Sequence, residues 1–182
     1  MTHTQPLLLR LRAFLLAGLI LLVGACSTLN VSPPPALDRQ AQWVVLPFAN
    51  HTETPLAGSR AEAIAESLLR SLGTAKVKRY PSSLQQEALF EAGERKQQEE
   101  ALAWARQQGA RYALAGAVDE WRYKVGIDGE PAVGMTLQII DLNDDGRVVW
   151  SAVGAKSGWS REALSAVAQK LIRDLLAGAT VQ

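Results

Sequence analysis

The chain has 182 residues, 48% of them apolar and 20% charged, with 19 Lys and Arg against 18 Asp and Glu. That length gives room for one domain with a real core, and the near-neutral balance excludes a general nucleic-acid binder, which carries a strong basic excess. Cys26 is the single cysteine, so a disulfide framework within one chain is excluded.

The amino terminus reads as a secretory signal over residues 1–25. Arg10 and Arg12 form a positive start, and Ala13 to Val23 is an apolar stretch too short to span a bilayer, which needs about 20 residues. Val23-Gly24-Ala25-Cys26 follows, with small residues before the cysteine. This is similar to a lipobox, in which the cysteine is acylated and the chain is cut before it. The alternative is a short anchor that stays uncleaved. Ser27 follows the cysteine, where lipoproteins kept at the inner membrane usually carry Asp; by that resemblance the destination is the outer membrane. Residues 26–42 are expected to be a lipidated tether. Pro33-Pro34-Pro35 stiffens it, and fully extended it would reach on the order of 50 Å.

Residues 43–182 are expected to form a single α/β domain: a mixed β-sheet of about five strands flanked by helices, in the order β-α-β-α-β-β-β-α. Trp43 to Phe48 is a short apolar run, a buried first strand. Ser59 and Glu62 fit a capping box for a helix with Ala61, Ile64, Ala65, Leu68, Leu69 and Leu72 on one face, stopped by Gly73. Lys76 to Tyr80 is a second strand. Residues 82–108 are helical, with a break expected at Gly93 and a stop at Gly109. Tyr112 to Val118 is a central strand. Beyond it Trp121, Tyr123, Val125 and Ile127 alternate with Glu120, Arg122 and Lys124. Asp128 to Pro131 is a turn, and Val133, Met135, Leu137 and Ile139 continue an alternating strand. Asn143-Asp144-Asp145-Gly146 is a hairpin turn. Arg147 to Lys156 is the last strand. Ser160 is expected to cap a final helix that carries Leu164, Val167, Ala168, Leu171, Ile172, Leu175 and Leu176 on one face.

Four segments of this chain resemble the PelC family of outer-membrane lipoproteins of Pel exopolysaccharide export: Val44 to Pro55, Gly109 to Gly116, Tyr123 to Pro131, and Ser157 to Glu162. The first two are shared with a wider group of periplasmic α/β domains, including curli-secretion and penicillin-binding-protein-activator lipoproteins. The last two are the specific ones. The resemblance implies a protein that is not an enzyme. It implies a homo-oligomer, a closed dodecameric ring beneath the outer membrane, around the exit path of a cationic polysaccharide. It also implies an outer-membrane export β-barrel partner with periplasmic repeats. A second reading is a monomeric envelope lipoprotein that docks on a cell-wall or secretion enzyme and activates it.

Trp159 has two readings. It is either a packing staple on Leu164, just before the expected cap, or an exposed ring seated in the membrane interface. Asp128 and Glu130 share one turn, and Asp144 and Asp145 the other. Exposed acids at turns are usually only solvated, but repeated around a ring they would line a pore and guide a cationic polymer. The two turns are expected roughly 30 Å apart, at opposite ends of one strand. If Trp159 faces the membrane, Asp128 and Glu130 lie on the membrane side and Asp144 and Asp145 on the periplasmic side. Glu120, Arg122 and Lys124 are either plain solvent-facing residues or part of a subunit interface. No catalytic residue, cofactor or metal is expected. The chain after residue 25 has one histidine, His51, without a nucleophile motif or a ligand cluster.

Overall fold

The structure is a computed structural model and describes residues 27–33, 35–84, 91–126 and 129–179. Seven strands and three helices are present among them: β1 Ser27–Val31, β2 Gln42–Val45, β3 Ala49–Asn50, α1 Ala57–Ser71, β4 Lys76–Arg79, α2 Glu91–Gln107, β5 Tyr112–Tyr123, β6 Pro131–Asp141, β7 Arg147–Ser157 and α3 Leu164–Leu176. The expected mixed α/β sheet is found, two strands larger than read from the sequence.

The sheet runs in the order β1-β7-β6-β5-β2-β4, with β3 beside β5. The strands β2, β3, β4 and β5 pair in parallel, while β5, β6, β7 and β1 form an antiparallel meander. Trp43, Leu114, Val133, Leu137, Ile139 and Trp150 project to one face, beneath the apolar stripes of α1 and α3. That layer is the larger core. On the other face, Val44, Leu46, Ala113 and Ile140 meet Ala101 and Ala105 of α2. Alternate residues of β2 therefore serve opposite layers, as strand geometry requires.

Residues 27–31 depart most from expectation. They were assigned to a tether, yet they form an edge strand antiparallel to β7, with Ser27 opposite Lys156 and Val31 opposite Ala152. Ser32 continues the pairing, its hydroxyl donating to the Ser151 carbonyl at 2.5 Å. The backbone of β7 offers open hydrogen-bonding groups, and a strand satisfies them better than an extended linker in solvent could.

Other boundaries shift for local reasons. α1 begins at Ala57 after Leu56, a left-handed residue without a side-chain cap. The expected capping box does not form, because Ser59 lies inside α1 and not at its cap; Glu62 is buried and accepts the Phe48 N–H at 3.0 Å. α2 runs through Gly93, where a break was expected. α3 starts at Leu164 after Ala163, four residues beyond Trp159, so Ser160 is not its cap. β5 carries an irregularity between Val118 and Glu120. Tyr123, its last residue, and Val125 beyond it are exposed, not packed on the apolar face with the buried Trp121.

Candidate functional site

Two loops and one strand start meet at a single end of the sheet. β5 and β6 are joined through residues 124–130. Tyr123 pairs with Pro131 across the base of that hairpin, and the Lys124 N–H donates to the Glu130 carbonyl at 2.7 Å. The Lys124 ammonium lies 3.5 Å from the Glu130 carboxylate. Asp128 lies outside the described residues.

The second loop, residues 158–163, leaves β7 and enters α3. Ala132 pairs with Ser157, and the Gly158 N–H then donates to the Pro131 carbonyl at 2.8 Å. Gly158 is closely surrounded. A Cβ there would meet Val167, the Glu162 carboxylate at 2.6 Å and the Pro131 ring at 2.9 Å. Glu162 closes the loop on itself: its carboxylate accepts the Trp159 N–H at 3.1 Å, and its own N–H donates to the Trp159 carbonyl at 3.0 Å. Lys170 of α3 donates to the other carboxylate oxygen at 2.6 Å. The Lys170 bond, then the Trp159 N–H, hold the Glu162 carboxyl below its ordinary range.

Tyr123 links the two loops. Its hydroxyl donates to the Glu162 carbonyl at 3.3 Å and accepts the Leu164 N–H at 3.2 Å. That acceptance satisfies one of the open donors at the start of α3. The result is a fixed loop that projects two side chains. Trp159 is 64% exposed. Arg161 is exposed and left-handed at φ +64°, a conformation costly for a residue with a Cβ. The staple reading of Trp159 loses its position, since the residue just before the cap is Glu162.

β1 also starts at this end. Ser27 lies opposite Lys156, three residues before Trp159. Cys26 lies outside the described residues, but its peptide bond to Ser27 limits the separation of their Cα atoms to about 3.8 Å. Sequence reasoning had placed Ser27 in a tether; the pairing of β1 brings it to the end of the sheet that carries Trp159.

The remaining predicted residues divide by position. Asp144 and Asp145 sit at the opposite end of β6, in the turn where Asp145 and Gly146 are left-handed. Asp144 pairs with Arg147 at 2.6 Å. Glu120 and Arg122 pair with each other at 2.9 Å within the chain, beside an open groove of about 370 Å³ lined by Thr28, Asn30, Gly134, Val153 and Ala155. His51 lies 3.0 Å from Asp119. No group of three or more His, Cys, Asp and Glu among the described residues could hold a metal ion. No helix among them is long and apolar enough to cross a membrane.

The chain is similar to a solved PelC dodecamer from Paraburkholderia phytofirmans, at 44% identity over 86% of this chain and 99% of that one, with a TM-score of 0.73. The chain belongs to the PelC family. A single-residue variant of that PelC dodecamer aligns equally, at 44% identity over 86% of this chain and 100% of the other, with a TM-score of 0.74. The lipoprotein GNA1162 from Neisseria meningitidis shares 16% identity over 75% of this chain and 96% of its own, with a TM-score of 0.50; this likeness shows that the PelC fold extends to other chains. No protein-family model matches the chain, and no curated protein does.

Residues missed from the sequence are Tyr123, Val125, Arg161 and Glu162. Tyr123 and Val125 were read as continuing an apolar face, and their exposure depends on where β5 ends. Glu162 was visible only as part of a motif, and nothing local announced its bonds to Lys170 and Trp159.

Proposed function

We propose that the mature protein is an outer-membrane lipoprotein, acylated at Cys26, whose copies close into a ring on the periplasmic side. That ring guides the cationic Pel polysaccharide to an outer-membrane export β-barrel during biofilm matrix production. Its role is to hold and steer; it catalyses no reaction. The observation that carries this reading is the 44% identity, over nearly the whole of the other chain, to a PelC that is a dodecamer. A heterologous contact that returns on itself gives such a closed ring.

The geometry supports a membrane-facing end. Acyl chains on Cys26 hold that residue at the bilayer, and the β1–β7 pairing then keeps Ser157 to Trp159 within a few residues of the surface. An amphipathic indole is favoured at that depth. Asp128 and Glu130 then belong to the membrane side and Asp144 and Asp145 to the periplasmic side. Together they supply the negative field that draws a cationic polymer through. Glu120, Arg122 and Lys124 have partners within their own chain, so as interface residues they act in already neutralised pairs.

The test is the mass and image of the purified, acylated protein in a lipid environment. A closed ring, with secretion lost when ring formation is blocked, is the expected outcome. A solitary molecule that still supports polymer secretion overturns the reading and returns the monomeric activator.

A further inference from the structure

The membrane-facing end carries more than one apolar contact, and its charges are unevenly paired. Tyr123 and Trp159 are 50% and 64% exposed, and Val125 is fully so. The cations around them mostly have acids of their own. Lys124 pairs with Glu130, Arg122 with Glu120, Lys156 with Asp174 and Lys170 with Glu162. Arg161 differs. Among the described residues no carboxylate lies within ion-pair distance of it, although it is exposed. It is also held left-handed between Trp159 and Glu162, by a loop fastened at both ends.

A strained conformation kept by surrounding bonds points to use at that position. A planar guanidinium on a protein's bilayer side matches a phosphodiester, which it can engage with two parallel hydrogen bonds. The exposed apolar side chains at the same end of the sheet match the acyl boundary just below the headgroups.

We propose that Arg161 is a headgroup contact, selecting anionic phospholipid for the bilayer patch on which Trp159 rests. This rests on the membrane-facing reading of that end. The occupant is lipid, and an acid of a neighbouring copy is the competing outcome.

The test uses the full acylated protein in phosphatidylcholine bilayers that contain phosphatidylglycerol. Acyl-brominated versions of each lipid, at equal mole fraction, quench tryptophan, and the component lost in Trp159→Phe reports this site. Brominated phosphatidylglycerol should associate about fivefold more strongly than brominated phosphatidylcholine, the effect of one cation near an anionic surface. Arg161→Gln should bring that ratio to one, with ring mass unchanged, and Arg161→Lys should keep part of it. An unselective wild type, or an Arg161→Gln protein that keeps the ratio, overturns the proposal. So does an Arg161→Gln protein that loses the ring. Failure of both brominated lipids to quench Trp159 would instead remove the membrane-facing reading itself.

Discussion

Gly158 stands where any side chain would collide, and it governs how Trp159 is displayed. A methyl group there must displace Val167, Pro131 or the Glu162 carboxylate. Gly158→Ala is therefore expected to destabilise the domain by about 1–3 kcal/mol, a fall of a few degrees in Tm. Trp159→Ala should leave Tm nearly unchanged, because the indole is mostly in solvent. It should weaken binding of the unacylated domain to vesicles by about thirtyfold, since burying a large apolar side chain is worth roughly 2 kcal/mol. A large loss of Tm in Trp159→Ala would show that the ring packs instead. Glu162 adds a pH dependence. Its carboxyl is held below its ordinary value of 4.5 when folded. Its contribution is thus present above that value and is lost as pH falls through the lower folded one. The Trp159 amide resonance should move in that acid window, and in Glu162→Gln it should not. Trp159 stood out in the sequence because it is a large amphipathic aromatic just before an expected helix cap, in a segment resembling a known family. Arg161 and Glu162 did not, because their roles come from Lys170, Tyr123 and Pro131, which only the folded chain brings near.

At the scale of elements, periodicity carried most of the fold. The stripe of α3 and the alternation of β6 each appear where they were read, because Val133, Met135, Leu137 and Ile139 share one core layer with the apolar residues of α3. β1 was invisible for a physical reason. Its five residues are largely exposed and uncharged, so no hydrophobic alternation marks them, and its partner β7 lies far along the chain. Its place depends on small residues elsewhere. A Cβ on Gly154 of β7 would meet Leu29 at 2.7 Å and the Thr28 carbonyl at 2.9 Å. Gly154→Val should therefore detach β1 while the β5–β6–β7 meander persists. Hydrogen exchange should show faster exchange at residues 28–31 with β6 amides still protected; unchanged protection at β1 would refute that dependence. On the proposed anchoring at Cys26, a loose β1 would lengthen the link toward the tether expected from the sequence, and Trp159 would lose its fixed distance from the bilayer. The two sheet edges also differ. Lys76, Lys78 and Arg79 guard β4 against further pairing, whereas β1 carries no charge.

For the whole molecule, the β6 strand sets the two acidic turns roughly 30 Å apart, several times the distance over which charge is felt at physiological salt, about 8 Å. In the proposed guiding role, the turns would therefore act on a passing polymer separately, one at entry and one at exit. Such a division could not be read from composition, since the chain is nearly neutral overall; it needs the turns placed at opposite ends of one strand. If copies surround a shared opening with Trp159 toward the bilayer, a polymer arriving from the periplasm meets Asp144 and Asp145 first. Replacing both by Asn should weaken capture of a soluble cationic amino-sugar oligomer by the purified ring, and raised salt should erase the difference between wild type and variant. Replacing Asp128 by Asn and Glu130 by Gln should leave capture near wild type, because that turn lies beyond the reach of its field. It should lower polymer secretion in cells instead, where passage to the barrel is required. Ring mass should be unchanged in both. Equal loss of capture in both variants would mean that the acids act as one pool. No loss of capture or secretion in either would remove steering by these turns, leaving the ring as a passive collar.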